Sequence, residues 1–190
     1  LIHQGHLDEA EQVLRKASRV LRASGIEGYA AHAQMLQARI HLTRGELVTA
    51  EEQAVAAVAE FTAMGSAVDA LEATLVRAEV ALAAGRPQDA LTVVDEAHRA
   101  APDEAAALEA RSQVVRSRAL LLLGRVDEAG AAITAGLQAA RDQDLPFEEA
   151  LLLRARSQWR ARLDGQGSAE ESRADEAEAA RLLAALGAKA

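Results

Sequence analysis

The chain has 190 residues, of which 21 are basic and 29 acidic, so its formal net charge is −8 at neutral pH. This balance argues against a protein built to neutralise nucleic-acid phosphates, and the absence of cysteine excludes disulfides and thiolate chemistry. No apolar run approaches the roughly 18 residues that a membrane span needs, so we expect no membrane partner and a cytoplasmic protein.

Alanine supplies 47 of the 190 residues, whereas Phe, Trp and Tyr together supply four. Alanine has the highest helix propensity and little side-chain volume. The composition therefore predicts an all-α protein of closely packed helices rather than a globule with a core of large side chains.

The six-residue unit Gly-His-Leu-Asp-Glu-Ala at 5–10 recurs in varied form, with its Gly and Ala kept, at 45–50, 85–90 and 124–129. The spacings between the copies are 40, 40 and 39 residues, and a fixed period of this length is typical of repeat proteins. Each copy lies between two apolar-periodic runs. Glycine ends the first helix, and the acidic residues that follow it in several copies favour the start of a second. Each unit is therefore predicted to be the turn of a helical hairpin.

In chain order, the predicted hairpins span about 1–23, 28–64, 67–100, 103–141 and 147–186. The first is truncated, because residues 1–4 look like the end of a helix, and we therefore expect a piece of a longer protein. Its second helix, 7–23, has an apolar stripe made of Leu7, Ala10, Val13, Leu14, Ala17, Val20 and Leu21.

The fifth hairpin departs from the pattern and is predicted to be a C-terminal cap with a polar outer side. A long polar loop, 164–168, interrupts it. On one side of its last helix we place the acidic residues Glu170, Glu171, Asp175, Glu176 and Glu178. On the other side we place the apolar residues Ala177, Leu182, Leu183 and Leu186.

The spacing of small residues around the turns resembles the frame of tetratricopeptide (TPR) repeats. It occurs as Ala38–Gly45–Ala50–Ala57, Ala78–Gly85–Ala90–Ala97 and Ser117–Gly124–Ala129–Gly136. The resemblance implies a right-handed superhelical solenoid of antiparallel helix hairpins forming one repeat domain over 1–190, with the first helix of each pair on a concave face. The period near 40 departs from the usual TPR length of about 34 residues, and the large aromatic residues of the family are mostly missing.

Three stretches, 124–129, 139–153 and 178–188, resemble the C-terminal repeats of large bacterial multidomain adenylate/guanylate cyclases. The maltose-regulator-like repeats of LuxR-type transcription regulators resemble these stretches nearly as closely. The resemblance implies a non-catalytic regulatory module that binds a peptide, a partner helix or another domain of its parent chain. The alternatives are a sensing domain of such a regulator, or a free-standing scaffold.

No residue pattern indicates catalysis, a cofactor or a metal. There is no Gly-Lys step for a phosphate loop, and His3 and His6 lack a nearby acidic ligand at metal spacing. Acid pairs such as Asp8-Glu9 recur at helix starts, where the helix dipole explains them. Among Arg154, Arg156, Arg160 and Arg162 only Arg156 and Arg160 share a helix face, so no direct nucleic-acid binding is expected.

One constellation emerges when the repeats are superposed. In each first helix, the TPR frame places the residue after the small residue inward, and a second residue lies seven positions earlier on the same face. From one repeat to the next, the charge at these two positions alternates. The candidate groove residues are His32, Arg39, Glu72, Glu79, Arg111 and Arg118. Two interpretations stay open: a ladder of ion pairs between adjacent helices, or a clamp on a peptide or partner helix in the concave groove. Homo-oligomerisation through the truncated first hairpin is also left open.

Overall fold

The computed structural model describes residues 6–100, 108–163 and 167–188 of the chain. Its described part holds nine α-helices and no strand: α1 (Leu7–Ala23), α2 (Glu27–Thr43), α3 (Leu47–Ala63), α4 (Ala67–Ala83), α5 (Pro87–Ala100), α6 (Glu109–Leu122), α7 (Val126–Asp142), α8 (Pro146–Arg160) and α9 (Gly167–Ala185). The all-α prediction is confirmed. The predicted helix end at 1–4, the predicted helix start at 103 and part of the loop 164–168 lie outside the described residues.

Positive backbone φ angles occur where the sequence places its turn glycines. Gly45 has φ 78°, its N–H donates to the Leu42 carbonyl, and the Glu46 N–H donates to the His41 carbonyl at 2.9 Å. This pair of hydrogen bonds is a Schellman motif, which satisfies the last carbonyls of α2 and requires a left-handed residue. The same φ region is adopted at Gly85 and Gly124. The repeated glycine is thus explained by the turn between paired helices.

The turn between α7 and α8 uses Asp144 where comparable turns between hairpins use Gly25 and Gly65. Asp144 has φ 52°, and the Leu145 N–H donates to the Ala140 carbonyl at 2.8 Å. Aspartate tolerates the left-handed region better than most residues, so the motif is kept without glycine. The sequence motif does not reveal this turn.

The chain divides into two compact units, the first holding α1 to α5 and the second α6 to α9. In the first unit each helix packs on the next, and α2 also packs on α4. Its core is mostly alanine, and the buried cluster comprises Ala31, Met35, Ala38, Ala54, Ala57, Phe61, Ala73 and Val76. Small side chains let these helices approach closely.

In the second unit each helix also packs on the next, and α6 packs on α8. Two glycines within α7 mark its closest contacts. A Cβ added at Gly136 would lie 2.7 Å from Cβ of Gln113 and 2.8 Å from a methyl carbon of Leu152. A Cβ added at Gly130 would lie 2.8 Å from the Trp159 ring, whose Nε1–H donates to the Val126 carbonyl at 2.9 Å.

Two predicted helix faces are wrong in part. Of the α1 stripe only Ala10 is buried, whereas Val13 and Val20 are 55% and 57% exposed. On α9, Asp175 is buried and Ala177 is exposed, the reverse of the prediction. The reason is an ion-pair cluster with α8, described below.

Candidate interaction surface

The six candidate groove residues are divided between the two units. His32 and Arg39 lie on α2, and Glu72 and Glu79 lie on α4, which packs on α2. Arg111 and Arg118 lie on α6 of the second unit. Arg118 is exposed and the other five are half-buried. We call the four residues of the first unit the α2/α4 face.

His32 joins the two helices of this face. Its Nδ1 lies 2.9 Å from the Gly28 carbonyl oxygen, and its Nε2 lies 3.0 Å from Oδ1 of Asp69 on α4. The Ser66 hydroxyl donates to the other Asp69 oxygen. The ring also meets Phe61 edge-on, at 4.7 Å between ring centroids. These contacts fix the imidazole and leave its side chain 40% exposed.

The remaining charges of the candidate set are not isolated. Arg39, Glu72, Glu79 and Arg111 each take part in a hydrogen-bonded or electrostatic contact. Such contacts orient long side chains, while partial exposure keeps them within reach of a partner. The arrangement therefore accommodates both the ladder and the clamp.

The sequence did not predict the exposed apolar residues near the start of α2. Tyr29, one helical turn earlier, is 70% exposed, and its ring centroid lies 6.5 Å from that of His32. Ile26, Met64 and Val68 are each more than 40% exposed. The available signal was that Tyr29 is the only tyrosine of the chain and shares a helix face with His32.

Ion pairs at the turns tie one hairpin to the preceding helix. Arg44, at the end of α2, donates to Asp8 and Glu11 in the first turns of α1. Arg86, at the end of α4, donates in the same way to Glu51 of α3. The hydrogen bond from Arg44 holds the pKa of the Glu11 carboxyl below its usual value, against the effect of burial. These acids therefore have ionic partners as well as a favourable helix dipole.

In the second unit, Arg156 and Arg160 share a face of α8, as predicted, and both contact Asp175 of α9. Arg156 forms a two-pronged pair with the Asp175 carboxylate, at 2.6 and 3.0 Å, and Arg160 donates to one of the same oxygens. The Asp175 side chain is only 5% exposed. A buried carboxylate of this kind requires paired cations. These arginines therefore hold the final hairpin together and form no basic stripe.

A groove of about 290 Å³ lies apart from the candidate residues, between α3, α4 and α5. Its walls carry no charged side chain, and they include Val58, Thr62, Ala70, Thr74 and Ala97. The hydroxyls of Thr62 and Thr74 already donate to carbonyls of their own helices, those of Val58 and Ala70. The groove thus offers little polar recognition.

Comparisons with protein-family models, with curated proteins and with solved structures give no match. Within the described ranges, no group of three or more His, Cys, Asp or Glu side chains is placed to hold a metal ion. No helix among the described residues is long and apolar enough to cross a membrane.

Proposed function

We propose that this chain is a non-catalytic interaction module, which binds a peptide, a partner helix or another domain of its parent protein. The observation that carries the proposal is the α2/α4 face: two packed helices present partly exposed charges of opposite sign, joined by the contact between His32 and Asp69. A surface of fixed, mixed charge selects partners by complementary charge rather than by buried area alone.

The finer architecture is part of the same proposal. The packed hairpins within each unit and the recurrent glycine turns support a right-handed, TPR-like solenoid, in which the first helix of each pair lines a concave face. A partner of the first unit would then contact the α2/α4 face, and Arg111 and Arg118 would be the corresponding contacts on α6 in the second unit. The expected affinity is modest and salt-sensitive, because exposed ion pairs contribute little individually.

For the parent protein we propose a multidomain nucleotide cyclase, in which the repeats would regulate or oligomerise the catalytic part. Its support is the resemblance of 124–129, 139–153 and 178–188 to cyclase repeats. An antibody to this region would recover the native full-length protein for an assay of ATP conversion to cyclic AMP. Turnover would support the cyclase, whereas no turnover from a chain well above 20.0 kDa would favour a transcription regulator.

The binding proposal is tested with peptides selected from a displayed random library against the chain. Arg39→Ala and Arg118→Ala, alone and combined, are expected to weaken the binding of selected peptides about two- to five-fold for each arginine removed, since each loses one charge that would pair with a peptide. Arg19→Ala is the matched control, because Arg19 is an exposed arginine on α1. Circular dichroism is expected to show unchanged helicity in all variants.

Two results would count against the clamp. Equal affinity of the wild type and the combined variant would show that these arginines do not contact the peptide. Loss of helicity in the arginine variants, with Arg19→Ala unaffected, would show that the charges act mainly as a ladder between helices.

A further inference from the structure

Four exposed apolar side chains lie together at one end of the hairpin formed by α2 and α3. Ile26 is 44% exposed, Tyr29 70%, Met64 43% and Val68 43%. Ile26 and Tyr29 belong to the start of α2, Met64 follows α3, and Val68 lies in the first turn of α4. We call these four residues the Tyr29 patch. Clustered exposed apolar residues are typical of binding surfaces, whereas single ones are not.

Contacts made by residues next to the patch members bring the start of α2, the end of α3 and the start of α4 together. A Cβ added at Gly28 would lie 3.9 Å from the Met64 sulfur, so the start of α2 adjoins the end of α3. His32, whose ring stands 6.5 Å from that of Tyr29, contacts Asp69, the residue next to Val68. The Phe61 ring beneath His32 is buried in the core. The patch therefore rests on a fixed platform.

The charges around the patch are mainly acidic. Glu27 has a side chain that is 59% exposed, and Asp69 and Glu72 are half-buried on α4. The neighbouring cation, Arg22, is bound at 2.9 Å by Glu60 and at 2.7 Å by Gln34, and it also lies 3.7 Å from Glu27. With Glu60 included, four acids thus lie within about one helical turn of a patch residue along the chain, and they outnumber Arg22 beside them. An apolar segment that carried acidic residues would meet repulsion here.

We propose that the Tyr29 patch docks a cationic amphipathic segment of a partner protein. The apolar side chains of this segment would cover Met64 and Val68. A lysine or arginine of the segment would lie over the exposed Tyr29 ring, near the Glu27 carboxylate. The acidic surroundings and the aromatic face both favour a cation. This inference rests on the proposed function, to which it adds the chemistry of the partner at one end of the α2/α4 face.

The chain offers a sharp test, because it has one tyrosine and one tryptophan. Fluorotyrosine labelling gives a single fluorine NMR resonance from Tyr29 in the first unit, and fluorotryptophan gives one from Trp159 in the second. The probe is a synthetic amphipathic peptide of leucine and lysine, compared with the same peptide carrying glutamate in place of lysine. We expect the lysine peptide to move the Tyr29 resonance and leave that of Trp159 unchanged.

Matched variants separate docking from attraction to the net charge of −8. Because Tyr29→Ala removes the fluorinated residue, the affinities of the variants are measured with a fluorophore on the peptide. Tyr29→Ala is expected to weaken binding of the lysine peptide about five-fold, whereas Val48→Ala, at a 75% exposed valine of α3, has no effect. Glu27→Gln is expected to weaken it about two-fold, and Glu52→Gln, at an exposed acid of α3, to leave it unchanged. Equal effects of the paired variants, or equal binding of the glutamate peptide, would overturn the proposal.

The same labels distinguish this inference from the proposed function. If library-selected peptides bind with dependence on Arg39 but leave the Tyr29 resonance unmoved, the α2/α4 face binds and the Tyr29 patch does not, which overturns the inference alone. If the lysine peptide moves the Tyr29 resonance and the arginine variants bind selected peptides normally, the patch is supported and the charged clamp fails.

Discussion

Replacing Gly136 with alanine should destabilise the second unit, although alanine is the better helix former. The added Cβ would lie 2.7 Å from Cβ of Gln113 on α6 and 2.8 Å from Leu152 on α8. Carbon atoms pack at about 3.5–4.0 Å, so α7 would have to move by most of an ångström. The Gln113 Cβ is attached directly to its backbone and cannot rotate away. Overpacking of this kind costs about 1–3 kcal/mol, against a gain in propensity of about 1 kcal/mol.

The net effect of Gly136→Ala is therefore a loss of up to about 2 kcal/mol in the free energy of unfolding. Urea denaturation followed by Trp159 fluorescence measures it, because this tryptophan lies in the second unit and contacts α7. Ala135→Gly, at the exposed neighbouring position of α7, measures the propensity contribution alone. A Gly136→Ala variant more stable than the wild type would refute the close helix packing described for this unit.

Two further predictions concern charges. Asp175→Asn should lower the free energy of unfolding of the second unit by about 3 kcal/mol in the same assay, because it removes the buried anion between two arginines. Glu171→Gln, at an exposed pair, should lower it by less than about 1 kcal/mol. Equal losses would contradict the burial of Asp175. Glu11 has a lowered pKa in the folded state, so its stabilisation is present above its usual pKa of 4.5 and is lost as pH falls through the lower folded value. As the pH falls below about 4.5, Glu11→Gln should therefore lose less stability than the wild type, measured by urea denaturation followed by circular dichroism, while Glu52→Gln should lose as much as the wild type. An unaltered pH profile in Glu11→Gln would show that the pair with Arg44 does not form.

The turns were the most predictable part of the fold. The glycine of each repeat has a steric reason to recur, since a left-handed residue ends the helix. Asp144 shows the limit of this reasoning, because it adopts the same conformation with φ 52° and breaks the motif. Apolar periodicity and helix propensity were then sufficient to predict an all-α fold, and α4 begins at Ala67, the predicted start of the third hairpin.

The helix faces were less predictable, because burial depends on which neighbour a helix meets. The spacing of apolar residues on α1 does not say which of them will be buried. The exposure of Val13 and Val20 could therefore not be predicted from the sequence. The burial of Asp175 was hidden for a similar reason. Its arginine partners lie 19 and 15 residues earlier in the chain, across a polar loop that has no fixed spacing.

Of the candidate surface, the charge alternation came from superposing repeats, and it located residues on two helices that do pack together. The contact between His32 and Asp69 was not predicted, since Asp69 falls outside the superposed positions. The exposure of Tyr29 and its neighbours could not be predicted from the sequence either, because apolar residues near a helix start are equally consistent with a buried core. Sequence thus indicated the charged part of the surface and missed its apolar end.

The most direct test of the account is a backbone amide NMR titration of the labelled chain with a library-selected peptide. The interaction module proposed here predicts that the largest shift changes lie on both α2 and α4, within residues 29–43 and 68–79. Changes on α3, α4 and α5 around the uncharged groove, with none on α2, would contradict binding at the α2/α4 face.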